Sequence, residues 1–420
     1  MTVFAEDYPA FESVFTDHHL NSPDGHLFPS ANAMGIAWKL AEPRHEVRFK
    51  AEQFNPEEIR TYWFNTATIF EGSEELQREI MENGKNPGLH IREFHERDIT
   101  GKSVNVAVIG FDIFQDHPEY AGRIMAYYKS PNLPDINDMT GMSDSMKRQE
   151  KLWTMLYGYM GISILAGKSM GIAPEANIYY AAVSLYGYYK DAADAIYWII
   201  EQNNQLPQDN KIRIISAPYS MIYEEFQEVL DEYNTAVKAA RENGIIVLDC
   251  ADNEETNIAV SAYLNPEEPE NVAQMRLADH EENINTPAYN MLGAPNGSFR
   301  TYAEGFTKGD YSYFYSPWGY QALCVPYVAG VLALGFQIVP ELSGEEMLDL
   351  LIYSAYSNYF NGNRFIYPRA FIRDVREEAK RFAPVRVTYI DNLFFVNIAL
   401  LAVIITGIAV FVVLKKRKKI

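Results

Sequence analysis

The run VNVAVIGF at residues 104–111 decides the fold class of this chain of 420 residues. Apart from Asn105 it is apolar, and it is rich in β-branched residues, which is typical of a strand buried on both faces. Similar runs follow at residues 176–184, 211–220 and 245–254. Amphipathic helical patterns separate them at residues 191–202 and 224–244, and further helices are predicted near Pro326 and at residues 344–355. This alternation predicts an α/β fold with a parallel sheet and helices on both faces.

Composition limits the classes of function. The net charge of −20 disfavours nucleic acid as a partner, because binding a phosphate backbone needs clustered Lys and Arg. Hydrophobic residues make up 48% of the chain and charged residues 22%, which predicts a folded protein with a large core. The two cysteines, Cys250 and Cys324, do not make a disulfide framework and leave the redox compartment open.

A segment near the C-terminus, residues 393–414, contains 22 residues and no charged side chain. At 1.5 Å per residue, a helix of this length crosses a hydrocarbon core of about 30 Å. A basic tail, residues 415–420, follows directly, and a linker at residues 383–392 precedes the segment. We therefore expect one transmembrane helix. A buried core helix is the alternative, but such a helix is seldom apolar around its whole circumference.

Two observations bear on the side of the membrane that the main domain occupies. The basic tail predicts a cytoplasmic C-terminus and an extracytoplasmic main domain. Residues 1–15 contain neither the basic nor the apolar segment of a signal peptide. Export would therefore need a start farther upstream; alternatively, the anchor inserts as a C-terminal tail. Of the two, we expect an extracytoplasmic main domain at the cell membrane.

Four segments of the chain, in sequence order, resemble the subtilisin-like serine peptidases (peptidase S8). Residues 101–124 are similar to the family's opening strand and its His-Pro pair, and residues 157–184 to its histidine helix, glycine–Ala–Pro loop and next strand. Residues 244–254 resemble the strand that delivers an oxyanion-hole Asn, and GYQALCVPYVAGVLAL at residues 319–334 resembles the serine helix. The resemblance covers about residues 86–378 and implies a three-layer α/β/α fold with a mainly parallel central sheet.

The resemblance places none of the family's three catalytic residues in this chain. The Asp position falls on Gly110, the His position on Tyr157 and the Ser position on Ala322, whereas the oxyanion-hole Asn is kept as Asn253. A Ser–His–Asp site needs a hydroxyl that attacks, an imidazole that takes its proton and a carboxylate that orients the imidazole. Alanine has no nucleophile, and tyrosine, with a pKa of about 10, is a poor general base. We therefore predict an inactive homologue.

Other reactive side chains occur near these positions, but the sequence predicts no catalytic partner for them. Asp112 would still need a His to orient, and His117 in DHPEY resembles a surface turn of the family. Cys324 is expected to be a small buried residue, although a helix N-terminus favours a thiolate. Ser312 and Ser316 lie in a Tyr-rich segment that we predict to be a loop with no base nearby. An active serine-type peptidase that uses such displaced residues is the alternative function.

The strand on which the family holds extended substrate also differs. Its S-x-G positions fall on Pro218, Tyr219 and Ser220, and proline removes a backbone donor from that ladder. Asp252 replaces a usual Gly and adds negative charge where an oxyanion would form. These changes disfavour turnover, and they leave a modified groove in which a partner peptide or protein is expected to bind.

Cofactor and metal sites are not predicted. The run GFDIFQDHP after the first strand lacks the G-x-G-x-x-G pattern of a dinucleotide-binding fold. His90 and His95 are five residues apart and fall on different sides of a helix, which disfavours a shared metal with Glu93 between them. The adjacent pair His18 and His19 is a weaker metal signal.

The predicted organisation is an N-terminal extension at residues 1–85, a subtilisin-like domain at residues 86–382, and the membrane anchor. The expected function is that of a membrane-anchored pseudo-peptidase that acts by binding a protein or peptide partner, in a regulatory or scaffolding role. The identity of that partner has no signature in the sequence.

Overall fold

The structure is a computed structural model. It describes residues 3–4, 47–133, 158–184, 188–218, 227–250, 259–278, 292–358 and 362–382. The chain divides into two compact units, Met1–Glu378 and Ala379–Ile420. The predicted linker, transmembrane helix and basic tail, residues 383–420, lie outside the described residues.

Strands and helices alternate through the middle of the described chain. In chain order the strands are β1 (Val3–Phe4), β2 (Val47–Phe49), β3 (Phe64–Asn65), β4 (Thr68–Phe70), β5 (Asn105–Gly110), β6 (Ile124–Lys129), β7 (Asn177–Ala182), β8 (Ile214–Ser216), β9 (Ile246–Leu248), β10 (Ala259–Tyr263), β11 (Arg276–Leu277), β12 (Leu292–Pro295), β13 (Arg300–Thr307), β14 (Asp310–Ser316), β15 (Tyr356–Ser357) and β16 (Arg364–Phe365). The α-helices are α1 (Glu74–Asn83), α2 (Ile91–His95), α3 (Met160–Ala166), α4 (Tyr188–Gln205), α5 (Gln227–Glu242), α6 (Cys324–Ile338), α7 (Gly344–Tyr353) and α8 (Pro368–Phe382). Short 3₁₀ helices lie at Ala51–Gln53, Pro56–Thr61, Gln208–Asn210, Val272–Gln274 and Gln321–Leu323.

A five-stranded sheet in the order β6-β7-β5-β8-β9 forms the centre, and every neighbouring pair in it is parallel. Strand β5, from the run that decides the fold class, lies in the middle, and all of its residues are buried. The predicted α/β fold with a parallel sheet is therefore confirmed. The carboxyl ends of parallel strands meet at one edge, so the segments after β5, β7 and β8 approach each other there.

Helices cover both faces of this sheet. On one face, α4 and α5 bury apolar residues such as Ile199 and Ala236 against Ile109 and Ala181 of the strands. On the other face, α6 crosses the sheet beside α3 and also contacts β10 and β12 of a second sheet, in the order β11-β10-β12-β16-β15. Alternate residues of a strand face opposite sides, so the continuous apolar runs predicted from the sequence serve both layers.

Helix α6 and the 3₁₀ turn before it, Gln321–Ile338, form the one described stretch long and apolar enough to cross a membrane. Most of this stretch is buried inside the protein, and it packs on two sheets, as expected of a core helix. The predicted span at residues 393–414 stays a prediction.

The prediction of a loop around Ser312 and Ser316 is wrong, because both residues lie in strand β14. This strand forms an antiparallel hairpin with β13, and Lys308 and Gly309 form its two-residue turn. Gly309 has a φ of +86°, a conformation that glycine adopts without steric cost. The segment YSYFYS alternates with the period of a strand. The alternation is hard to recognise in the sequence, because large aromatic and polar side chains make neither set of alternate residues plainly apolar.

The described part of the N-terminal extension packs on this hairpin. Strand β3 pairs with β14, and the Thr301 N–H donates to the Gly84 carbonyl at the end of α1 (2.9 Å). Phe64, Phe70 and Phe299 share one buried cluster. Residues 47–85 and the hairpin therefore form a continuous core.

Candidate active-site region

Gly110 ends strand β5, and the space beside it is filled by a tyrosine. A Cβ at this position would lie 2.5 Å from the Tyr180 hydroxyl and 3.2 Å from its ring carbon Cζ. Tyr180 comes from the neighbouring strand β7, is fully buried and donates to the Phe111 carbonyl (2.7 Å). A side chain at residue 110 would therefore require the buried Tyr180 phenol to move.

Asp112, two residues farther along, is occupied by partners from strand β6. Its Oδ1 accepts from the Tyr127 hydroxyl (2.6 Å), and its Oδ2 lies 2.7 Å from Lys129 Nζ. Tyr127 stacks on Tyr180 with ring centroids 5.4 Å apart. Burial, with the nearby Asp112 carboxylate, raises the pKa of Tyr127 well above its ordinary value. The carboxylate thus belongs to a tyrosine–lysine network rather than to an imidazole.

His117 is fully buried, and both of its ring nitrogens are engaged. Nδ1 accepts from the Glu119 N–H (3.1 Å), so the proton is assigned to Nε2, which donates to the Ser312 carbonyl (3.3 Å). Tyr120 stacks on the ring with centroids 5.3 Å apart. Burial lowers the pKa of His117 below its ordinary value, which keeps the ring neutral. In the described part of the chain this ring reaches neither a hydroxyl nor a thiol.

The hydroxyl of Ser312 has an acceptor that the sequence analysis missed. It donates to Oε1 of Glu304, which stands opposite Ser312 in the hairpin register. Glu304 is fully buried, and burial raises its pKa from 4.5 to about 7, against a smaller lowering by the hydrogen bonds of Ser312 and Asn65. The expectation that no base lies near Ser312 is therefore wrong. Ser316 bonds locally instead, to the Trp318 carbonyl (2.7 Å).

The residues at the start of the α6 region carry no accessible nucleophile. Ala322 lies in the 3₁₀ turn Gln321–Leu323 and is buried. Cys324, the first residue of α6, is fully buried, and its thiol donates to the Ala294 carbonyl of β12 (3.1 Å). A thiol held in this way packs as a small core residue.

Of the predicted groove residues, Pro218 is described, and it is buried just beyond the carboxyl end of β8. Five predicted site residues lie outside the described part of the chain: Tyr157, Tyr219, Ser220, Asp252 and Asn253. Their roles stay predictions.

The two histidines of the α2 region bind different partners. His90 Nδ1 lies 3.0 Å from Oε1 of Glu93, whereas His95 Nε2 contacts the Ile172 carbonyl (2.8 Å). The hydrogen bond from Arg369 lowers the pKa of Glu93 most. Across the described ranges, no group of three or more His, Cys, Asp or Glu side chains is arranged to hold a metal ion.

The close contact at Gly110 predicts a measurable coupling with Tyr180. Gly110→Ala is expected to lower the free energy of unfolding by about 1–3 kcal/mol, because the buried phenol must move. In a Tyr180→Phe background the same change is expected to cost less, since the nearest atom is absent. A double-mutant cycle from urea unfolding measures this coupling. Equal costs of Gly110→Ala in both backgrounds would show that the hydroxyl does not fill the space.

Comparison with known proteins finds a family similarity in the central region. Residues 101–286 match the subtilase family, peptidase S8. The prenylagaramide maturation protease PagA is 14% identical, with a TM-score of 0.45, over 68% of this chain and 98% of that chain. Fervidolysin from Fervidobacterium pennivorans, a keratinolytic enzyme related to subtilisin, is 17% identical, with a TM-score of 0.43, over 66% of this chain and 43% of that chain. A protease from Pseudoalteromonas arctica is 18% identical, with a TM-score of 0.46, over 66% of this chain and 91% of that chain.

No curated protein sequence matches the chain. The family match covers strands β5 to β11, which include all five strands of the parallel sheet, and helices α3 to α5; α6 lies outside it. The similarity to the subtilase family (peptidase S8) is therefore located in residues 101–286, the region that forms the parallel sheet of this α/β fold.

Proposed function

We propose that this chain is a membrane-anchored, catalytically inactive subtilisin-like pseudo-peptidase that acts by binding a protein or peptide partner. The observation that carries the proposal is the packing at the carboxyl end of β5, where Tyr180 fills the space beside Gly110. In an active site of this family, the space beside residue 110 would be occupied by a catalytic carboxylate and by the imidazole that the carboxylate orients.

The neighbouring groups support the same proposal. Asp112 is bound by Tyr127 and Lys129, and Cys324 donates to a backbone carbonyl inside the core. Ala322 offers no atom that could attack a carbonyl. In subtilisin, loss of the nucleophilic serine or of the histidine base removes nearly all of the catalysis.

Binding and anchoring extend the proposal beyond the described residues. Pro218 lies at the strand end where the family holds extended substrate, and its lack of an N–H changes that strand's pairing. Residues 393–414 would anchor the domain in the cell membrane as a single span, with the basic tail cytoplasmic and the domain extracytoplasmic. A tethered domain with a modified groove suits a regulatory or scaffolding role.

The alternative function is an active serine hydrolase that uses displaced residues. One observation favours it: Ser312 donates to Glu304, a buried carboxyl whose pKa is about 7 and which could accept a proton near neutral pH. The His117 imidazole near this pair contacts the Ser312 backbone carbonyl and not its hydroxyl.

Labelling of the full-length protein in detergent with a fluorophosphonate separates the two functions. We expect no stoichiometric labelling of wild type. The variant Ala322→Ser should also stay unlabelled, because no histidine among the described residues is placed to take the proton of the new hydroxyl. An active subtilisin-like peptidase in the same detergent serves as the positive control. Labelling of wild type that disappears in Ser312→Ala would establish the alternative and overturn the proposal.

A further inference from the structure

A cavity of about 380 Å³ lies apart from the positions considered so far. Its walls are the C-terminal end of α1, the chain at residues 264–269 and the turn that leads into β13. Neither Gly110, Ala322 nor Pro218 lines it. The volume is in the range of pockets that hold small molecules.

Arg300, the first residue of β13, lies on the wall of this cavity with its charge unpaired. The side chain is 5% exposed, and one of its nitrogens, Nη2, donates to the Met170 carbonyl. Its Nε and Nη1 atoms are buried and have no hydrogen-bond partner. Within the described chain no carboxylate forms an ion pair with it, and burial lowers the pKa of this guanidinium. A buried charge without a partner is costly, so a group that binds it would be strongly favoured.

Arg92 of helix α2 is a second cation on the same wall. Its side chain is exposed and forms no ion pair in the part of the chain that the structure describes. The positive charge of Arg92 lowers the pKa of Arg300 further, so the two guanidinium groups are near enough to repel each other. Two like charges at one cavity oppose folding unless an anion compensates them.

The remaining charged groups of the cavity largely cancel. Glu82 pairs with Lys85 (2.6 Å), and Arg60 pairs with Glu267. After these two pairs are set aside, the charged residues that line the cavity are Glu79, with one negative charge, and the two arginines, with two positive charges. Five polar side chains also line the wall: Asn83, Asn86, Asn265, Asn296 and Ser298. Four of them already donate to protein acceptors, namely Asn86 to Glu270, Asn265 to Gln274, Asn296 to Ser261 and Ser298 to Asn296, so the two arginines are the main candidates to bind an anion.

We infer that this cavity is a binding site for a small oxyanion, a carboxylate or phosphate group on a small molecule, held by Arg300 and Arg92. Guanidinium groups bind both kinds of oxyanion through charge-assisted hydrogen bonds. An anion in the cavity would compensate the charges of both arginines and reduce their mutual repulsion. To reach the Nε and Nη1 atoms of Arg300, which are buried behind the wall, the guanidinium group would turn toward the cavity when the anion binds. The site is independent of the proposed function, because it shares no residue with the candidate active-site region.

Thermal unfolding and calorimetry of the full-length protein in detergent test this site, with inorganic phosphate and succinate as the two probes. At about 10 mM, at least one probe is expected to raise the Tm by a few degrees above sodium chloride of equal ionic strength. A shift with phosphate alone assigns the site to phosphates, and a shift with succinate alone assigns it to carboxylates. Arg92→Gln and Arg300→Met should each weaken binding of the probe by about tenfold or more.

The control is Arg97→Gln, an exposed arginine of the same region that does not line the cavity. It should bind the probe as wild type does. If Arg300→Met does not fold, the exposed Arg92→Gln variant decides the outcome. The site is refuted if neither probe raises the Tm of wild type, or if both probes bind Arg92→Gln as tightly as wild type.

Discussion

Glu304→Gln is expected to abolish a loss of stability that wild type suffers between mildly acidic and neutral pH. Glu304 is buried in the hairpin, and its pKa rises from 4.5 to about 7 on folding. Because a tenfold change in proton affinity is worth about 1.4 kcal/mol, this rise corresponds to about 3 kcal/mol. This is one of the two largest effects that we expect from a single substitution.

The sign follows from which state binds the proton more tightly. Folded Glu304 keeps its proton up to about pH 7, whereas the unfolded chain releases it near pH 4.5. The contribution of this group to stability is therefore complete below pH 4.5, falls as pH rises through the window, and is lost above about pH 7. Glutamine resembles the protonated carboxyl, still accepts from Ser312, and does not titrate.

Urea unfolding at two pH values measures this effect. Between about pH 5.5 and pH 8, Glu304 is expected to take about 2 kcal/mol from the unfolding free energy of wild type, and the variant should lack that decline. Glu201→Gln, on the exposed side of α4, is the control and should keep the pH dependence of wild type. An identical decline in wild type and Glu304→Gln would mean that Glu304 titrates normally in the folded protein.

Gly319→Ala is expected to destabilise the chain by about 3 kcal/mol, because the new methyl group meets backbone. A Cβ there would lie 2.6 Å from the Ser298 nitrogen and closer still to the carbonyl oxygen of Asn296. These atoms cannot move freely. The Asn296 N–H donates to the Ala262 carbonyl (2.9 Å), and its side chain accepts from the Ser298 N–H (3.1 Å).

The matched control is Gly161→Ala in helix α3. A Cβ at Gly161 meets nothing within 4 Å, so the change should be neutral or should stabilise by up to about 1 kcal/mol. Urea unfolding at one pH compares both variants with wild type. If Gly319→Ala proves as stable as Gly161→Ala, the turn before α6 is looser than the structure indicates.

The apolar runs of the sequence were enough to predict four of the five strands of the central sheet, whereas β6, none of whose residues is fully buried, was not predicted. Strands β5 and β7 lie inside the predicted runs at residues 104–111 and 176–184, and α5 ends just before Gly244, which has a φ of +74°. These signals are local, since burial on two faces requires unbroken apolar strands and a helix end favours glycine. The resemblance around Gly110 and Ala322 could be recognised in the sequence for the same reason, because each motif is a short local stretch of residues.

The hairpin and its buried acid could not be predicted in this way. Glu304 looks like a surface residue in the sequence, and only the pairing of β13 with β14 brings Ser312 to it. The tyrosines of β14 lie on one face and Ser312, Phe314 and Ser316 on the other, so neither face is clearly the apolar one. The environment of such residues depends on long-range contacts.

The sequence alone predicted an α/β domain around β5, and the resemblance assigned the family's catalytic positions to Gly110, Tyr157 and Ala322. Only the tertiary structure decided that Tyr180 from β7 lies beside Gly110 and that, in a separate cavity, the buried Arg300 has no ion-pair partner among the described residues. The physical reason is that residue type and periodicity are properties of neighbours along the chain. Packing, burial and pairing of charges arise between segments that meet only after folding.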